Sequence, residues 1–168
     1  NVGAHAIKKG LTVAHYTLEL NEAYVGLRYD AVVTGIANQN LKFNLDEVKH
    51  KVKNLPGELI VKYYPTKTAS VNTIKSHLDK MILQDKKPDL VVVDYADLLR
   101  AVNVRGEVRH DLESIYEDLR GMAGEYELPV FTASQANRSA LDDDVIGADK
   151  ISESYAKIMI ADFVISLS

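Results

Sequence analysis

The fold class follows from Leu90-Val91-Val92-Val93-Asp94 and from the pattern around it. Four successive apolar residues, three of them β-branched, predict a strand that is buried on both faces, as strands in parallel sheets are. Similar short apolar runs alternate along the chain with longer stretches whose apolar residues recur at helical spacing. This alternation predicts an α/β fold with a mostly parallel sheet flanked by helices.

Local signals set the boundaries of the predicted elements. Asn21 is the predicted N-cap of one helix, because its side chain can accept a backbone N–H of the first turn. Pro56 and Gly57 interrupt the pattern before a strand, and Pro129 begins another. The predicted helices cover residues 1–9, 21–35, 44–54, 71–84, 111–127 and 152–161, and the predicted strands cover residues 11–18, 59–64, 90–94, 129–134 and 163–167.

Composition bounds the class of protein. The chain has 168 residues, 46% of them hydrophobic and 26% charged, which predicts one globular domain. It has no apolar run of the roughly 20 residues that a membrane-spanning helix needs and no secretion signal at its start, so a soluble, cytoplasmic protein is expected. The absence of cysteine excludes disulfides and thiolate metal sites. The net charge of -4 argues against broad attraction to nucleic acid but leaves room for a local basic loop.

Two carboxylates follow predicted strands. Asp94 ends one strand, where it could hold Mg²⁺ through water, and Glu19 follows another, where it could accept a proton from water that attacks a phosphate. Both lie where an open parallel sheet places its ligand crevice, at the carboxyl ends of the strands. Each also has a plainer interpretation: Asp94 as a strand-end turn residue and Glu19 as a charge at the start of a helix.

A third polar segment, Ser134-Gln135-Ala136-Asn137-Arg138, follows the predicted strand 129–134. A neutral amide at a strand end can hydrogen-bond a γ-phosphate and report its loss to the loop that follows. The alternative interpretation of these residues is an ordinary polar turn. The three strand ends occur in an order and at spacings that suit one sheet.

Four segments carry a resemblance to DnaB-type replicative helicases. The "SLEM…R" segment of that family resembles Thr17-Leu18-Glu19-Leu20 with Arg28, and its "IDYLQLL" Walker B motif resembles Val93-Asp94-Tyr95-Ala96-Asp97-Leu98-Leu99. Its "SQLNR" motif resembles residues 134–138, and its "LRESGSIEQDADVV" stretch resembles residues 151–154 with 161–165. The resemblance covers essentially the whole chain and implies a single, partial RecA-like P-loop NTPase domain over residues 1–168. Because Ala96-Asp97 stands where bacterial helicases have Leu-Gln, a divergent or phage-type member is favoured.

The resemblance implies roles for individual residues in ATP hydrolysis. Glu19 matches the glutamate that activates the hydrolytic water, and Asp94 matches the Walker B aspartate that supports Mg²⁺ through water. Gln135 matches the amide that senses the γ-phosphate, and Arg138 matches the arginine of the same motif. The expected cofactors are therefore ATP and Mg²⁺.

The resemblance also implies a homo-hexameric ring that moves along single-stranded DNA. The loops after the third and fourth strands would face the central channel, so the candidate contacts to DNA phosphates are Arg100, Arg105, Arg109 and Lys150. Basic residues in a loop are also commonly just solvated. A primase and a helicase loader are possible partners, and the compartment would be the host cytoplasm if the protein is phage-encoded.

The sequence departs from the family pattern in three ways. It contains no Gly-x-x-x-x-Gly-Lys-Ser/Thr loop, whose backbone amides cradle the phosphates. The Walker A strand and loop are therefore expected to be lacking, and the chain as given is expected to bind ATP poorly. It ends before the family's basic hairpin that reaches a neighbouring subunit. Ser152 stands where the family has the arginine of "RES", which puts a DNA contact there in doubt unless Lys150 substitutes.

Other functions stay open on the sequence alone. The chain could belong to a RecA- or KaiC-like ATPase of recombination or regulation, or it could be a nucleotide-free binding or assembly module. Three conspicuous features receive structural interpretations: His15 as a satisfied core histidine, Tyr63-Tyr64-Pro65 as a strand end that packs on the core, and Asp142-Asp143-Asp144 as a solvated loop.

Overall fold

A computed structural model describes residues 2–102, 108–135 and 156–165, without the side chains of residues 108, 109 and 156. The helices are α1 (Val2–Lys8), α2 (Glu22–Thr34), α3 (Leu45–Lys53), α4 (Val71–Leu83), α5 (Val108–Tyr126) and α6 (Ala156–Ile160). The strands are β1 (Val13–Thr17), β2 (Leu59–Tyr63), β3 (Leu90–Asp94) and β4 (Val130–Thr132), and short 3-10 helices cover Asn38–Phe43 and Ala96–Leu98.

The four strands form one parallel sheet in the order β2-β1-β3-β4. Thr17, the last residue of β1, pairs with Tyr63 of β2 and with Asp94 of β3, and Val93 pairs with Thr132 of β4. The carboxyl ends of all four strands therefore lie at one edge of the sheet. The predicted α/β class and mostly parallel sheet are confirmed.

Strand β3 is buried because helices cover both faces of the sheet. Val91 and Val93 point into the larger core, which contains residues of α4 and α5, whereas Leu90 and Val92 pack with Ile7 of α1 on the opposite face. This alternation explains why the strand is apolar at successive positions. The face of α5 predicted to be apolar is buried: Leu112, Ile115, Leu119 and Met122.

Helix α2 has the boundaries that its capping residues predict. The Asn21 side chain accepts a hydrogen bond from the Tyr24 backbone N–H at 3.0 Å, and Gly35 ends the helix in the left-handed region with φ 75°. A left-handed conformation costs little at glycine because it has no Cβ.

Among the described residues, no helix has the length and hydrophobicity that crossing a bilayer requires.

The predicted last strand, residues 163–167, is wrong where it can be assessed. Phe163, Val164 and Ile165 belong to no strand, and Phe163 is 92% exposed. A strand needs a neighbour to satisfy its backbone hydrogen bonds, and none of the four described strands pairs with this stretch. The described residues do not include 166–167 of this predicted strand or 152–155 of the predicted last helix.

The remaining predicted boundaries differ from the observed ones by a few residues. For example, α5 begins at Val108 and not at residue 111.

Gly57 allows α1 to pack closely against the turn before β2. We therefore expect Gly57→Ala to lower the free energy of unfolding by about 1–3 kcal/mol, which is the usual cost of overpacking. A Cβ at this position would lie 2.3 Å from the Leu11 carbonyl oxygen and 2.6 Å from that of Ile7, and backbone cannot move aside cheaply. Urea denaturation measures the change. The matched control is Gly26→Ala in α2, where a Cβ meets nothing within 4 Å and should raise stability by up to about 1 kcal/mol. Equal effects of the two substitutions would contradict this account.

Candidate functional site

The side chains predicted to act together lie beyond adjacent strand ends. Asp94 is the last residue of β3, Glu19 follows β1 by two residues, and Gln135 follows β4 by three. The Leu18 N–H donates to the Asp94 carbonyl oxygen at 2.9 Å, which extends the pairing of β1 with β3 beyond the strands. The parallel register thus brings the segments that carry Glu19, Asp94 and Gln135 to one edge of the sheet.

Thr17 fixes the turn that carries Glu19. Its buried hydroxyl donates to the Leu20 carbonyl oxygen at 2.6 Å and accepts from the Leu20 N–H at 3.2 Å. The Thr66 hydroxyl donates to the Leu18 carbonyl oxygen at 2.9 Å from the other side. The backbone around Glu19 is therefore held in place while its side chain stays exposed, as a group that meets a ligand from solvent requires.

Thr132 joins the ends of β3 and β4 in a similar way. Its hydroxyl donates to the Val93 carbonyl oxygen at 2.8 Å and accepts from the Ala96 N–H at 3.0 Å. These contacts fix the backbone on both sides of Asp94 relative to the end of β4. The segment that leads to Gln135 therefore begins at a defined position beside Asp94.

Tyr95 contacts one of the three predicted residues, and sequence reasoning missed this contact. The Gln135 amide donates to the Tyr95 hydroxyl at 3.1 Å. Burial raises the pKa of Tyr95, and the negative charges of Glu19, Asp97 and Asp94 raise it further, while the hydrogen bond from Gln135 opposes this. The phenol therefore contacts Gln135 and is influenced by the charges of these carboxylates. Its position directly after Asp94 was the only signal in the sequence that could have identified it.

His15 lies beneath Asp94 on the neighbouring strand. Its Nδ1 contacts the Tyr29 hydroxyl at 2.9 Å, and its Nε2 lies 3.9 Å from Asp94 Oδ2, too far for a direct hydrogen bond. Burial lowers the pKa of His15, although the charge of Asp94 opposes this effect, so the ring is mainly neutral at pH 7. Among the described residues Nε2 has no hydrogen-bond partner. The prediction of a satisfied core histidine is therefore correct for Nδ1 and wrong for Nε2.

A cavity of about 240 Å³ opens between the start of α1 and the ends of β3 and β4. Asp94, His15, Arg28 and Gly3 contribute to its wall, so the arginine of the first family-like segment faces the same space as Asp94. Glu19 and Gln135 do not line it. The cavity thus provides a space beside Asp94 that the other two predicted residues do not line.

The residues around Asp94 fit a cation that is held mainly by water and ligand oxygens. The Asp94 side chain is 39% exposed, so water can reach its carboxylate. Within the described ranges, no group of three or more histidine, cysteine, aspartate or glutamate side chains could enclose a metal ion. Mg²⁺ typically keeps several waters and uses one or two carboxylates together with phosphate oxygens. A single accessible carboxylate fits that mode and does not fit a metal cage built from the protein alone.

The structure describes only part of the predicted DNA-contact set. Arg100 is exposed beyond the 3-10 helix that follows β3, and its backbone N–H donates to the Ala69 carbonyl oxygen at 2.8 Å. Arg109 lies in the first turn of α5, where only the backbone is described. Arg105, Arg138 and Lys150 lie outside the described residues, as does residue 152.

Two solved structures share this fold. A DnaB-like replicative helicase, solved in a study of its structure and its interactions with primase, superposes with a TM-score of 0.76 at 21% identity, over 95% of this chain and 43% of that one. A second solved structure, an ATPase domain, gives a TM-score of 0.77 at 21% identity, over 95% of this chain and 60% of that one. The predicted RecA-like architecture is confirmed.

Two curated relatives are similar in sequence. The DnaB-like replicative helicase of Enterobacteria phage T4 is 27% identical over 179 aligned residues, which cover 99% of this chain and 38% of the relative. A probable replicative DNA helicase of Trieres chinensis is 26% identical over 147 aligned residues, which cover 83% of this chain and 32% of the relative. The chain therefore spans well under half the length of either relative.

The family profile of the DnaB-like helicase C-terminal domain matches residues 1–145. This range includes the three strand ends that carry Glu19, Asp94 and Gln135, and it takes in most of the 168 residues. The chain belongs to the family of DnaB-like helicase C-terminal domains.

Proposed function

We propose that this chain is the core of an ATP-driven DNA helicase motor, which couples ATP hydrolysis to movement along single-stranded DNA. The observation that carries the proposal is the convergence, at one edge of the sheet, of the strand ends that carry Glu19, Asp94 and Gln135, in a chain of the DnaB-like family. Membership of this family by itself supports only the class of protein. The convergence of the three strand ends supports a specific role for each of the three side chains.

Glu19 acts as the general base in this proposal. Its carboxylate is exposed at the end of β1 on a backbone fixed by Thr17, so it can accept a proton from a water molecule that enters from solvent. Asp94 lies one strand away and would hold the waters of a bound Mg²⁺, which would neutralise phosphate charge. Gln135, with Arg138 beyond it in the same motif, contacts the terminal phosphate and responds to its loss.

The basic residues Arg100, Arg105, Arg109 and Lys150 are the proposed contacts to DNA phosphates. Each lies on the segment after β3 or after β4, so movement of these segments with the nucleotide state would be transmitted to the strand. A homo-hexamer is the proposed assembly, and the study of a similar helicase with primase makes primase a proposed partner, alongside a helicase loader.

The decisive test is ATP turnover by the full-length polypeptide that carries this sequence, with and without single-stranded DNA, beside its Glu19→Gln variant. We expect DNA to stimulate turnover and the variant to lose about a hundredfold or more, because positioned general bases contribute about 10²–10⁴-fold. Glu47→Gln is the matched control, since Glu47 forms only an exposed ion pair with Lys51 on α3. Turnover indifferent to DNA would instead favour a RecA- or KaiC-like regulatory ATPase, and no turnover would favour a binding or assembly module.

Removal of the Tyr95 hydroxyl tests the contact that joins the site. In Tyr95→Phe the Gln135 amide loses its partner, and we expect kcat to fall by up to about tenfold while KM for ATP stays within about twofold, as the loss of one hydrogen bond predicts. Steady-state kinetics of the full-length polypeptide measure both values. Tyr24→Phe, which removes the hydroxyl of a mostly exposed tyrosine on α2, should leave kcat unchanged. An unaltered kcat in Tyr95→Phe would remove Tyr95 from the proposed site.

The 168-residue chain by itself should bind ATP weakly. Its sequence has no glycine-rich phosphate loop, and the side chains of Glu19, Asp94 and Gln135 do not replace a cradle of backbone N–H groups. Isothermal titration calorimetry of this chain with Mg²⁺-ATP measures the affinity. A dissociation constant in the micromolar range would contradict the expectation and indicate a phosphate site that the sequence does not reveal.

A further inference from the structure

A buried lysine lies beside the candidate site, and none of the roles proposed above accounts for it. Lys157 is on the short helix α6, and its side chain is only 3% exposed. Its ammonium group contacts Asp97 Oδ2 at 2.8 Å and donates to the Ser134 hydroxyl at 3.2 Å. A charged group this deeply buried must be paired, and Asp97, itself 16% exposed, is the partner.

Tyr116 completes the surroundings of this pair. Burial raises the pKa of Tyr116, and the nearby charge of Asp97 raises it further, so its hydroxyl stays protonated and donates to Asp97 Oδ1 at 2.8 Å. The Lys157 ammonium lies 5.4 Å from the centroid of the Tyr116 ring, within the range of a cation–π interaction. Ser134 donates to Asp97 Oδ2 at 3.3 Å. We name these four residues, Asp97, Tyr116, Ser134 and Lys157, the Asp97 cluster.

The Asp97 cluster connects four separate segments of the chain. Asp97 lies on the 3-10 helix directly after β3, Tyr116 on α5, Ser134 just beyond β4 and Lys157 on α6. Ser134 precedes Gln135, and Asp97 follows Asp94 by three residues. The cluster therefore holds the backbone beside the proposed phosphate sensor against the segment that carries the proposed Mg²⁺ carboxylate.

The other side of α6 is less firmly held. Arg120 on α5 donates to the Ile160 carbonyl oxygen, and it pairs with Asp162 at 2.9 Å in an ion pair whose side chains are 55% and 72% exposed. Exposed ion pairs contribute little because water screens them. Lys157 is thus a buried polar contact of α6, and its loss would leave the Ser134 hydroxyl with Asp97 alone as its partner in the cluster.

The geometry points to Lys157 and Asp97 as positioning residues, which hold Ser134 and thereby place the Gln135 amide at the nucleotide site. Both side chains contact Ser134, the residue before Gln135, and so act on turnover through Gln135. The effect on turnover rests on the proposed function of Gln135. The effect on the position of Gln135 does not, and it can be measured separately.

The positional effect is measured by NMR of the 168-residue chain. In Lys157→Met we expect the side-chain amide resonance of Gln135 to shift and its hydrogen bond to Tyr95 to weaken. Lys75→Met is the matched control, because it removes a partly exposed lysine that pairs with Glu125 across α4 and α5. Ser134→Ala provides a second route if Lys157→Met does not fold, since it removes the hydroxyl between the pair and the backbone of Gln135. An unshifted Gln135 amide in the variants that fold would overturn the inference.

The functional effect is measured by a double-mutant cycle in the full-length polypeptide. We expect Lys157→Met to lower kcat by about tenfold, as the loss of a charge-assisted hydrogen bond predicts, with KM for ATP changed by less than about twofold. In a Gln135→Ala background the same substitution should lower kcat by less than about twofold, because residues that act through one group are not additive. A general loss of structure would instead lower kcat by equal factors in both backgrounds, and that result would overturn the inference.

Replacement of both charges separates pairing from folding. Asp97→Asn alone leaves the Lys157 ammonium buried without a counter-charge, whereas Asp97→Asn with Lys157→Gln removes both charges and retains groups that can hydrogen-bond Ser134. We expect the double variant to recover kcat relative to either single variant. No recovery, despite a restored urea midpoint, would overturn the inference. Absence of turnover in the unmodified polypeptide would contradict the proposed function instead, and the Gln135 resonance would still decide the positioning role.

Discussion

The parallel pairing of β1 with β3 is the constraint on which the site depends. Thr17 and Asp94 are register partners, and the Leu18 N–H continues the pairing to the Asp94 carbonyl oxygen. A shift of one residue in this register would turn Val91 and Val93 away from their core and move Asp94 relative to Glu19. The register is fixed because helices bury both faces of β3, so the hydrophobic effect that stabilises the fold also sets the geometry of the carboxylates.

Polar contacts at the ends of the strands convert this geometry into a defined site. Thr17 and Thr132 each use one hydroxyl as both donor and acceptor, and each fixes backbone next to a proposed functional residue. Tyr95 and Asp97, on the segment that leaves β3, then reach across to Gln135 and Ser134 beyond β4. The exposed groups of the site therefore rest on backbone that Thr17 and Thr132 hold in place, and this keeps the cost of ordering the site low when a ligand binds.

Local sequence patterns predicted what depends on local chemistry. The bounds of β3, the N-cap at Asn21 and the proximity of Glu19, Asp94 and Gln135 follow from apolar runs, capping residues and the rule that parallel strands end at one edge. The role of Tyr95 and the pair formed by Asp97 and Lys157 were not predictable. Asp97 and Lys157, for example, lie 60 positions apart in the sequence, and no periodic signal relates residues at that separation. The stretch 163–165 has the composition of a strand but lacks a described pairing partner, and composition alone does not provide one.

Asp97 and Lys157 are best understood as a single feature. In the bacterial Walker B motif "IDYLQLL", a glutamine stands where this chain has Asp97. A glutamine can hydrogen-bond an ammonium group but cannot neutralise it, so a lysine as buried as Lys157 would be left with an uncompensated charge. Conversely, without Lys157 the carboxylate of Asp97 would keep only the hydroxyls of Tyr116 and Ser134 as partners. In this chain, the departure from the bacterial motif therefore supplies the counter-charge for a buried lysine on α6, and the serine that both residues contact precedes Gln135.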